Sequence, residues 1–230
     1  MGELSVVDLN ADLGEEVTAD AALLAVVTSA NVACGYHAGS AAIMREVCAE
    51  AARQGVSVGA QVSYDDRAGF GRRRTDVDGE VLREQVLDQV GTLREIALAA
   101  GTDVRYVKPH GALYHRVLDD VEQASAVLDG SGALPVLGMD GVLLALAVHA
   151  GRQVWREGFP DRSYDATGRL VGRDRPGAVL ADPAAITTQA LALAHQVDSL
   201  CVHGDEPEAV ARAHAVRRGL EAAGWVLRGL

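Results

Sequence analysis

Lysine and aromatic residues are scarce in this sequence of 230 residues, which contains one lysine against twenty arginines and only 4% aromatic residues. Because 49% of the residues are nevertheless hydrophobic, the core must be built mainly from valine, leucine and alanine. That mixture is typical of buried parallel strands covered by alanine-rich helices. A chain of this length can bury a sizeable core without covalent crosslinks.

Three further shortages exclude whole classes of protein. The cysteines, Cys34, Cys48 and Cys201, show no CxxC spacing, so we expect reduced thiols in the cytoplasm and no structural zinc site. No run of about 18 apolar residues occurs, and no basic region precedes a hydrophobic one near the start, which indicates neither a membrane span nor a secretory signal. Acidic residues outnumber basic ones, and the net charge of −11 counts against binding to nucleic acid.

Seven short apolar runs predict β-strands, and each is followed by a longer helical pattern. The runs are residues 4–9, 29–34, 56–60, 104–108, 134–138, 153–157 and 199–203. The clearest helix is predicted over 79–100, and others over 182–197 and from Pro207 to Gly224. Strands that alternate with helices pair in parallel through right-handed crossovers. We therefore predict an α/β fold with one domain over residues 1–230, a closed or nearly closed β/α barrel, with an open doubly wound sheet as the alternative.

Polar residues recur at the ends of the predicted strands. They are Asp8, Asn10 and Asp12 at the first strand, His37 after the second, Lys108 and His110 at the fourth, and His203 and Asp205 at the seventh. The carboxyl ends of parallel barrel strands meet at one mouth, where barrel enzymes carry their active sites. We therefore expect these side chains to converge there and to serve acid–base chemistry.

The single lysine indicates a specific task. Because the composition otherwise uses arginine for positive charge, Lys108 fits a site that needs a compact ammonium group or a tunable pKa, although a lone lysine also falls somewhere by chance. Structural alternatives stay open for other residues. Asp205 could cap the helix that begins at Pro207, and Asp12 could cap a turn. His37 could be an ordinary loop residue.

Compact motifs for nucleotide, metal or serine chemistry are absent. The sequence contains no GxxxxGK[ST] phosphate loop, no GxSxG elbow and no HExxH pair of histidines. Asp12 and His37, with a third polar group, could still form a carboxylate–imidazole site for a divalent metal. The run Arg72-Arg73-Arg74 is either a solvated loop or an anion-binding segment.

The polar residues lie in segments that match one known family. The segments are Asp8-Leu9-Asn10, Asp12-Leu13-Gly14-Glu15, Ser29–Gly35, His37-Ala38-Gly39, Gly69–Arg73, Val107–Tyr114, Asp161-Arg162 and Cys201–Asp205. In this order, and over nearly the whole chain, they resemble the LamB/YcsF family, the A subunits of bacterial ATP-dependent 5-oxoprolinase.

The resemblance implies a fold, an activity and partners. The fold is a distorted, seven-stranded parallel β/α barrel, TIM-like and of the glycoside hydrolase/deacetylase type. The activity is the opening of the cyclic amide of 5-oxoproline to L-glutamate with ATP, alongside two partner subunits. Because the chain lacks a phosphate loop, we expect ATP to be handled by, or shared with, those partner chains.

Catalytic roles follow from the resemblance together with the chemistry of each side chain. Asp12 or His110 is the expected general base on water, and Lys108 is expected to stabilise the developing oxyanion. His203 with Asp205 would orient or protonate the departing nitrogen. These five residues are the expected catalytic set.

Substrate-binding roles are expected for a second set of residues. Arg72, Arg73 or Arg162 would hold the substrate carboxylate, since a guanidinium group pairs well with a carboxylate. Asn10 and His37 complete this set.

The chain departs from the family pattern at two informative positions. Gln61 stands where a histidine is usual, and glutamine cannot titrate near neutral pH. Ser40 stands where an aspartate is usual. Two alternative hypotheses therefore stay open: a metal-dependent deacetylase or amidohydrolase acting on an N-acetyl sugar, as related barrels suggest, and a degenerate, non-catalytic subunit that binds small acids or partners.

Overall fold

Seven parallel strands close into a barrel in the computed structural model, which describes residues 5–17, 19–204 and 208–230. The strands are β1 (Val6–Leu13), β2 (Ser29–Ala33), β3 (Ser57–Val62), β4 (Val104–Pro109), β5 (Val136–Gly138), β6 (Val154–Gly158) and β7 (Ser199–Val202). Neighbours in the chain pair in parallel, and β1 pairs with both β2 and β7, which closes the ring. The predicted seven-stranded barrel is confirmed.

An eighth strand, β8 (Val226–Leu227), was not predicted. It pairs in parallel with Val6 and Val7 at the beginning of β1, outside the closed ring. A strand of two residues is too short to produce an alternating pattern, so sequence periodicity could not reveal it.

The first strand also differs from its predicted bounds, because it runs to Leu13 instead of ending at residue 9. Successive side chains of a strand point to opposite faces. Val7, Leu9, Ala11 and Leu13 belong to the buried hydrophobic core, whereas Asp8, Asn10 and Asp12 alternate with them and are also buried. The polar residues therefore belong to the strand itself. The alternative that Asp12 caps a turn is wrong.

Eight helices surround the barrel in the described part of the chain. They are α1 (Asp20–Leu24), α2 (Ala41–Gln54), α3 (Gly79–Ala99), α4 (Gly111–Arg116), α5 (Val121–Gly130), α6 (Val142–His149), α7 (Pro183–Leu193) and α8 (Ala209–Ala222). Ser40 is the N-cap of α2, and its side chain accepts a hydrogen bond from the Ile43 amide at 3.3 Å. Serine and aspartate both serve well as N-caps, so serine at this position performs the structural task that the expected aspartate would perform.

Two long loops extend from the carboxyl ends of β3 and β6, the first over residues 63–78 and the second over 159–182. The first carries a 3-10 turn at Arg67–Gly69, and the second is braced by antiparallel bridges between Arg162 and Val179 and between Tyr164 and Leu170. Both loops contribute residues to the cavity described below. Among the helices that the structure describes, none is long and apolar enough to cross a membrane.

A pair of glycines holds the first loop against the beginning of α4. Gly111 has a φ of +59°, and a Cβ placed there would lie 2.3 Å from the carbonyl oxygen of Gly71. Only glycine tolerates both that backbone conformation and that close approach. The Ala112 amide donates to the same carbonyl at 2.8 Å. This contact fixes the neighbouring Arg72 beside the cavity.

Candidate active site

A cavity of about 260 Å³ opens at the carboxyl end of the barrel. Its lining combines ends of β1 and β4 with the two long loops. The lining residues are Asp12, Glu15, Arg72, Lys108, Pro109, His110, Gly111, Ala112, Tyr114, His115, Phe159, Arg162, Leu170, Gly172, Arg173 and His203. Strand-end residues of a parallel barrel therefore meet at one mouth, as expected from the topology.

Lys108 lies at the bottom of this cavity and is only 2% exposed. Its Nζ donates to Asp12 Oδ1 at 2.7 Å and to Cys201 Sγ at 3.3 Å, and it lies 3.2 Å from Glu157 Oε1. An ammonium group has three donors. All three have partners, so a substrate oxygen can bind Nζ only by displacing one of them, and the sulfur is the weakest acceptor.

The charges of this cluster stabilise one another. Burial alone would lower the pKa of Lys108, but the nearby carboxylates outweigh it and hold that pKa well above its usual value. Burial alone would raise the pKa of Asp12, but the Lys108 ammonium outweighs it and holds that pKa well below its usual value. Asp12 is therefore ionised and Lys108 protonated at neutral pH.

The two oxygens of Asp12 have different surroundings. Oδ1 accepts from Lys108 Nζ and, at 2.9 Å, from Asn31 Nδ2. Oδ2 instead lies 3.7 Å from His110 Nδ1, on the cavity side. One oxygen thus holds the side chain in place, which leaves the other to accept a proton.

Below Lys108 the barrel interior is filled by a polar network instead of the usual aliphatic layers. Glu157 Oε2 accepts from the Tyr114 hydroxyl at 2.8 Å, and its Oε1 accepts from Asn10 Nδ2 at 3.2 Å. Burial raises the pKa of Glu157, against the attraction of Lys108. Burial also raises the pKa of Asp8 to about 6, although it accepts hydrogen bonds from hydroxyl groups that oppose this shift. Asn10 therefore supports the charged cluster from beneath instead of lining the cavity.

His203 is held by a carboxylate from the second loop. Its Nδ1 lies 2.8 Å from Asp161 Oδ2, and its backbone amide donates to the same oxygen at 3.0 Å. The charge of His203 and these hydrogen bonds overcome the effect of burial and lower the pKa of Asp161. Nδ1 is therefore the protonated nitrogen facing Asp161, which turns Nε2 away from it. The expected partner, Asp205, lies outside the described residues.

Two stacked histidines, His37 and His110, lie beside Asp12. The rings of His37 and His110 are stacked with centroids 4.0 Å apart, and Glu15 Oε1 lies 3.5 Å from His37 Nε2 and 3.5 Å from His110 Nδ1. Gln61 Nε2 donates to Glu15 Oε1 at 2.9 Å and lies 2.8 Å from His110 Nδ1. Among the described residues, the three donor atoms that lie close enough together to hold a metal ion belong to Glu15, His37 and His110. This group includes His37 of the predicted pair but not Asp12, whose Oδ2 lies 3.7 Å from His110 Nδ1.

Arginines of the two loops also line the cavity. Arg72, Arg162 and Arg173 line the cavity, and the Arg72 guanidinium lies over the Phe70 ring at 4.9 Å. Arg162 is buried, and its Nε and Nη2 donate to the carbonyls of Ala178 and Val171. Arg73 is different, because its side chain is 67% exposed, lies 3.9 Å from Asp66 and does not line the cavity. We therefore leave Arg73 out of the proposed site.

The structure brings most of the expected site residues together. Asp12, Arg72, Lys108, His110, Arg162 and His203 line the cavity, whereas Asn10 and His37 lie directly behind that lining. Sequence reasoning left Glu15, Glu157 and Asp161 out of the expected site. Each is an acidic residue in or next to a strand end, and this position could have identified it as a candidate. The residues that they contact lie on distant segments of the chain, which the sequence does not reveal.

Comparison with known proteins places this geometry in a family. The family model described as LamB/YcsF matches residues 7–230. A protein from Streptomyces avermitilis that is named as the A subunit of 5-oxoprolinase is 51% identical, and the match covers 95% of this chain and 97% of that protein.

Solved structures give the same result for the fold. The lactam utilization protein from Thermus thermophilus is 36% identical, with a TM-score of 0.90 over 98% of this chain and 100% of that chain. A peptidoglycan deacetylase from Bacillus subtilis is only 13% identical, with a TM-score of 0.53 over 99% of this chain and 89% of that chain, so it supports the barrel type alone.

Proposed function

This chain belongs to the LamB/YcsF family, and from that membership we propose that it is the A subunit of a 5-oxoprolinase, a hydrolase that opens the cyclic amide of 5-oxoproline to L-glutamate with ATP. One structural observation supports the chemistry most directly. The ionised Asp12 and the protonated Lys108 form a buried ion pair in a cavity that is also lined by three arginines.

The arginines and the Asp12–Lys108 pair that line the cavity suit the two functional groups of 5-oxoproline. The substrate carries a carboxylate and a ring amide. Guanidinium groups pair well with carboxylates, so the wall formed by Arg72, Arg162 and Arg173 would bind the carboxylate. The ring amide would then face Asp12 and Lys108. Binding in this orientation brings the scissile bond to the charged cluster.

Water activation is the first task of that cluster. Asp12 Oδ2 is ionised and not held by Lys108, so we assign it as the acceptor of the proton from the attacking water. Its lowered pKa makes it a weak base, and its contribution comes from position within a cavity that holds water and substrate together.

Stabilisation of the oxyanion and protonation of the leaving nitrogen complete the reaction. The amide oxygen becomes negative when water adds, and Lys108 Nζ would stabilise it by exchanging its contact with Cys201 Sγ for this oxygen. His203, oriented by Asp161, would supply the proton that the departing nitrogen needs. In this proposal Asp161 takes the orienting role that the sequence suggested for Asp205.

ATP and partner chains follow from the name of the relatives. A protein named as one subunit of an enzyme works with other subunits, and this sequence has no phosphate loop. We therefore propose that two partner subunits bind ATP, or share its binding, and couple its hydrolysis to ring opening. We also propose the cytoplasm as the location, because the three cysteines are buried free thiols.

Neither alternative function gains support from the relatives. The deacetylase structure shares the fold alone. A non-catalytic role was suggested by Ser40 and Gln61, yet Ser40 caps a helix and Gln61 is bonded within the histidine cluster. Both departures from the family pattern are therefore accommodated without the loss of Asp12 or Lys108.

The direct test is glutamate release from 5-oxoproline by the purified chain, ATP and the partner subunits of a close relative. We expect glutamate only when all components are present. The corresponding chain of that relative serves as the positive control for the partners. If that control is active and this chain releases no glutamate, the proposed function is wrong.

A further inference from the structure

We propose that Glu15, His37 and His110 bind a divalent transition metal, with Gln61 as a fourth ligand through its amide oxygen. The donor atoms of the first three residues lie within 4.8 Å of one another, and all three side chains are buried. The proposal concerns the chain alone and does not depend on the substrate or on the partner subunits.

His37 gives the first reason. Its side chain is buried, and neither ring nitrogen has a hydrogen-bond partner among the residues that the structure describes. A buried polar group without a partner costs roughly 1–3 kcal/mol, so such groups are rare in folded proteins unless a ligand or water satisfies them. Nε2 faces Glu15 Oε1 at 3.5 Å. A cation between these two atoms would satisfy the imidazole and the carboxylate together.

The orientation of His110 gives the second reason. Its Nε2 lies 3.2 Å from the carbonyl oxygen of Phe70, so Nε2 carries the proton and Nδ1 keeps its lone pair. Nδ1 is the nitrogen that faces Glu15. Metal-binding histidines typically donate their other ring N–H to a backbone carbonyl in this manner. Phe70 itself has a φ of +56°, a strained value for a residue other than glycine, of the kind that tends to occur at functional sites.

Gln61 gives the third reason. Its Nε2 faces Glu15 Oε1 and His110 Nδ1, while its Oε1 is buried and has no hydrogen-bond partner in the described part of the chain. The NH2 group thus occupies the position where a cation would bind. Rotation of the amide by half a turn would present Oε1 to a metal between Glu15 and His110.

The donor set selects the class of metal. Two neutral imidazoles with one carboxylate suit Zn²⁺ and its transition-metal neighbours, whereas Mg²⁺ and Ca²⁺ prefer sites made of oxygen atoms. Glu15 and His110 line the cavity, so any coordination position left open faces the substrate space next to Asp12. A metal there would supply a Lewis acid for a carbonyl oxygen.

Calorimetric titration of the metal-free full chain with Zn²⁺ tests the proposal without any turnover. We expect one Zn²⁺ per chain for the wild type and for His195→Ala, a histidine that packs on Trp225 away from this cluster. We expect His37→Ala to abolish this binding. Gln61→Leu, which removes the amide oxygen, should weaken it by roughly ten-fold, within the range of losses seen when metal sites lose a supporting group.

Thermal unfolding shows whether each variant is folded, and so separates a loss of Zn²⁺ binding from a failure to fold. A ligand that binds only the native state raises the melting temperature, and the increase grows with the ratio of the ligand concentration to Kd. Zn²⁺ should therefore raise the melting temperature of the wild type and of His195→Ala but not that of a folded His37→Ala or His37→Gln variant. Absence of stoichiometric binding to the wild type would overturn the proposal, as would binding that survives in both His37 variants. Loss of glutamate release with intact Zn²⁺ binding would count against the proposed function alone.

Discussion

Lys108 lies at the centre of the charged cluster in the candidate active site. The chain has a single lysine, and that lysine is the cation that contacts Asp12 and Glu157 inside the barrel. A compact ammonium group reaches both carboxylates and a sulfur atom from one point. The planar guanidinium of arginine would require a wider space and bidentate partners. The need for a compact ammonium group inside the barrel therefore explains why the single lysine lies at this position.

Removal of the Lys108 charge by Lys108→Met should destabilise the protein by about 3 kcal/mol at pH 7, because two buried carboxylates lose their cation. The loss should diminish as the pH falls, since the pKa of Asp12 rises without Lys108 and protonation then removes the unpaired charge. Urea unfolding at pH 5 and pH 7 measures both effects. Arg53→Met, which removes an exposed partner of Glu50, is the matched control and should change little. A loss for Lys108→Met that is equal at both pH values would contradict this account.

Asp161 orients His203, so Asp161→Asn should impair catalysis more than binding. We expect kcat for glutamate release to fall by roughly 100-fold while KM changes little, in line with the usual contribution of acid–base groups. Asp165→Asn changes an exposed aspartate of the same loop and provides the control. Steady-state kinetics of the assembled complex gives both constants. A kcat for Asp161→Asn equal to that of the control would show that His203 does not depend on this carboxylate.

Strand β1 is the element that joins the fold to the site. One of its faces packs in the hydrophobic core, and the other carries Asp8, Asn10 and Asp12 into the barrel interior. Ser29 Oγ donates to Asp8 Oδ1 at 2.7 Å, and Asn31 Nδ2 donates to Asn10 Oδ1 at 2.7 Å. The strand therefore places its three polar side chains at increasing height below the cavity, with only Asp12 reaching it.

Burial raises the pKa of Asp8 to about 6, which predicts that this residue makes the free energy of unfolding depend on pH. The unfolded chain releases the Asp8 proton near its ordinary value, and the folded chain holds it to higher pH. The unfolding free energy contributed by Asp8 therefore falls as the pH rises from about 4 to 6 and is constant above that. In Asp8→Asn, the change in unfolding free energy between pH 4.5 and 7.5 should differ from that of the wild type by about 2 kcal/mol. Urea denaturation at the two pH values gives the comparison, and equal pH dependence in both proteins would contradict it.

The contact between the first loop and α4 predicts a larger effect for Gly111→Ala than for a strained glycine in open space. A Cβ at Gly111 would lie 2.3 Å from the Gly71 carbonyl oxygen, whereas Gly132, with a similar φ of +61°, has no atom within 4 Å of such a Cβ. Gly132→Ala should therefore cost only the backbone strain, about 1 kcal/mol. Gly111→Ala should cost more and also raise KM, because Arg72 moves with the loop. Unfolding and steady-state kinetics of the two variants are the measurements. Equal effects of the two substitutions would mean that the contact does not position the site.

At the scale of the whole molecule, the order of strands was the part most readily predicted from sequence. Alternation of apolar runs with helical patterns is a local signal, and parallel topology then determines which ends meet. Lys108 and His110 could be placed at the mouth on these grounds. The two-residue strand β8 gave no such signal.

Pairing across the barrel was the part that sequence could not supply. Glu157 reaches Lys108 from β6, which is separated from β4 in the ring by β5, and Asp161 reaches His203 from the loop that follows β6. No local sequence pattern determines either contact. These contacts depend on barrel closure, which brings distant segments together. Sequence proximity instead favoured Asp205 as the partner of His203. The residues of the site were thus easier to predict than their partners.

In the proposed mechanism, the cluster of Asp12 and Lys108 opens the ring of 5-oxoproline. The most direct measurement is ATP-dependent glutamate release by the chain with its partner subunits, compared between wild type, Asp12→Asn and the exposed-site control Arg53→Met. Asp12→Asn keeps the shape of the side chain but removes the proton acceptor. We predict release by the wild type and by Arg53→Met, and a loss of at least about 100-fold in Asp12→Asn. Release by Asp12→Asn at the wild-type rate would contradict the account.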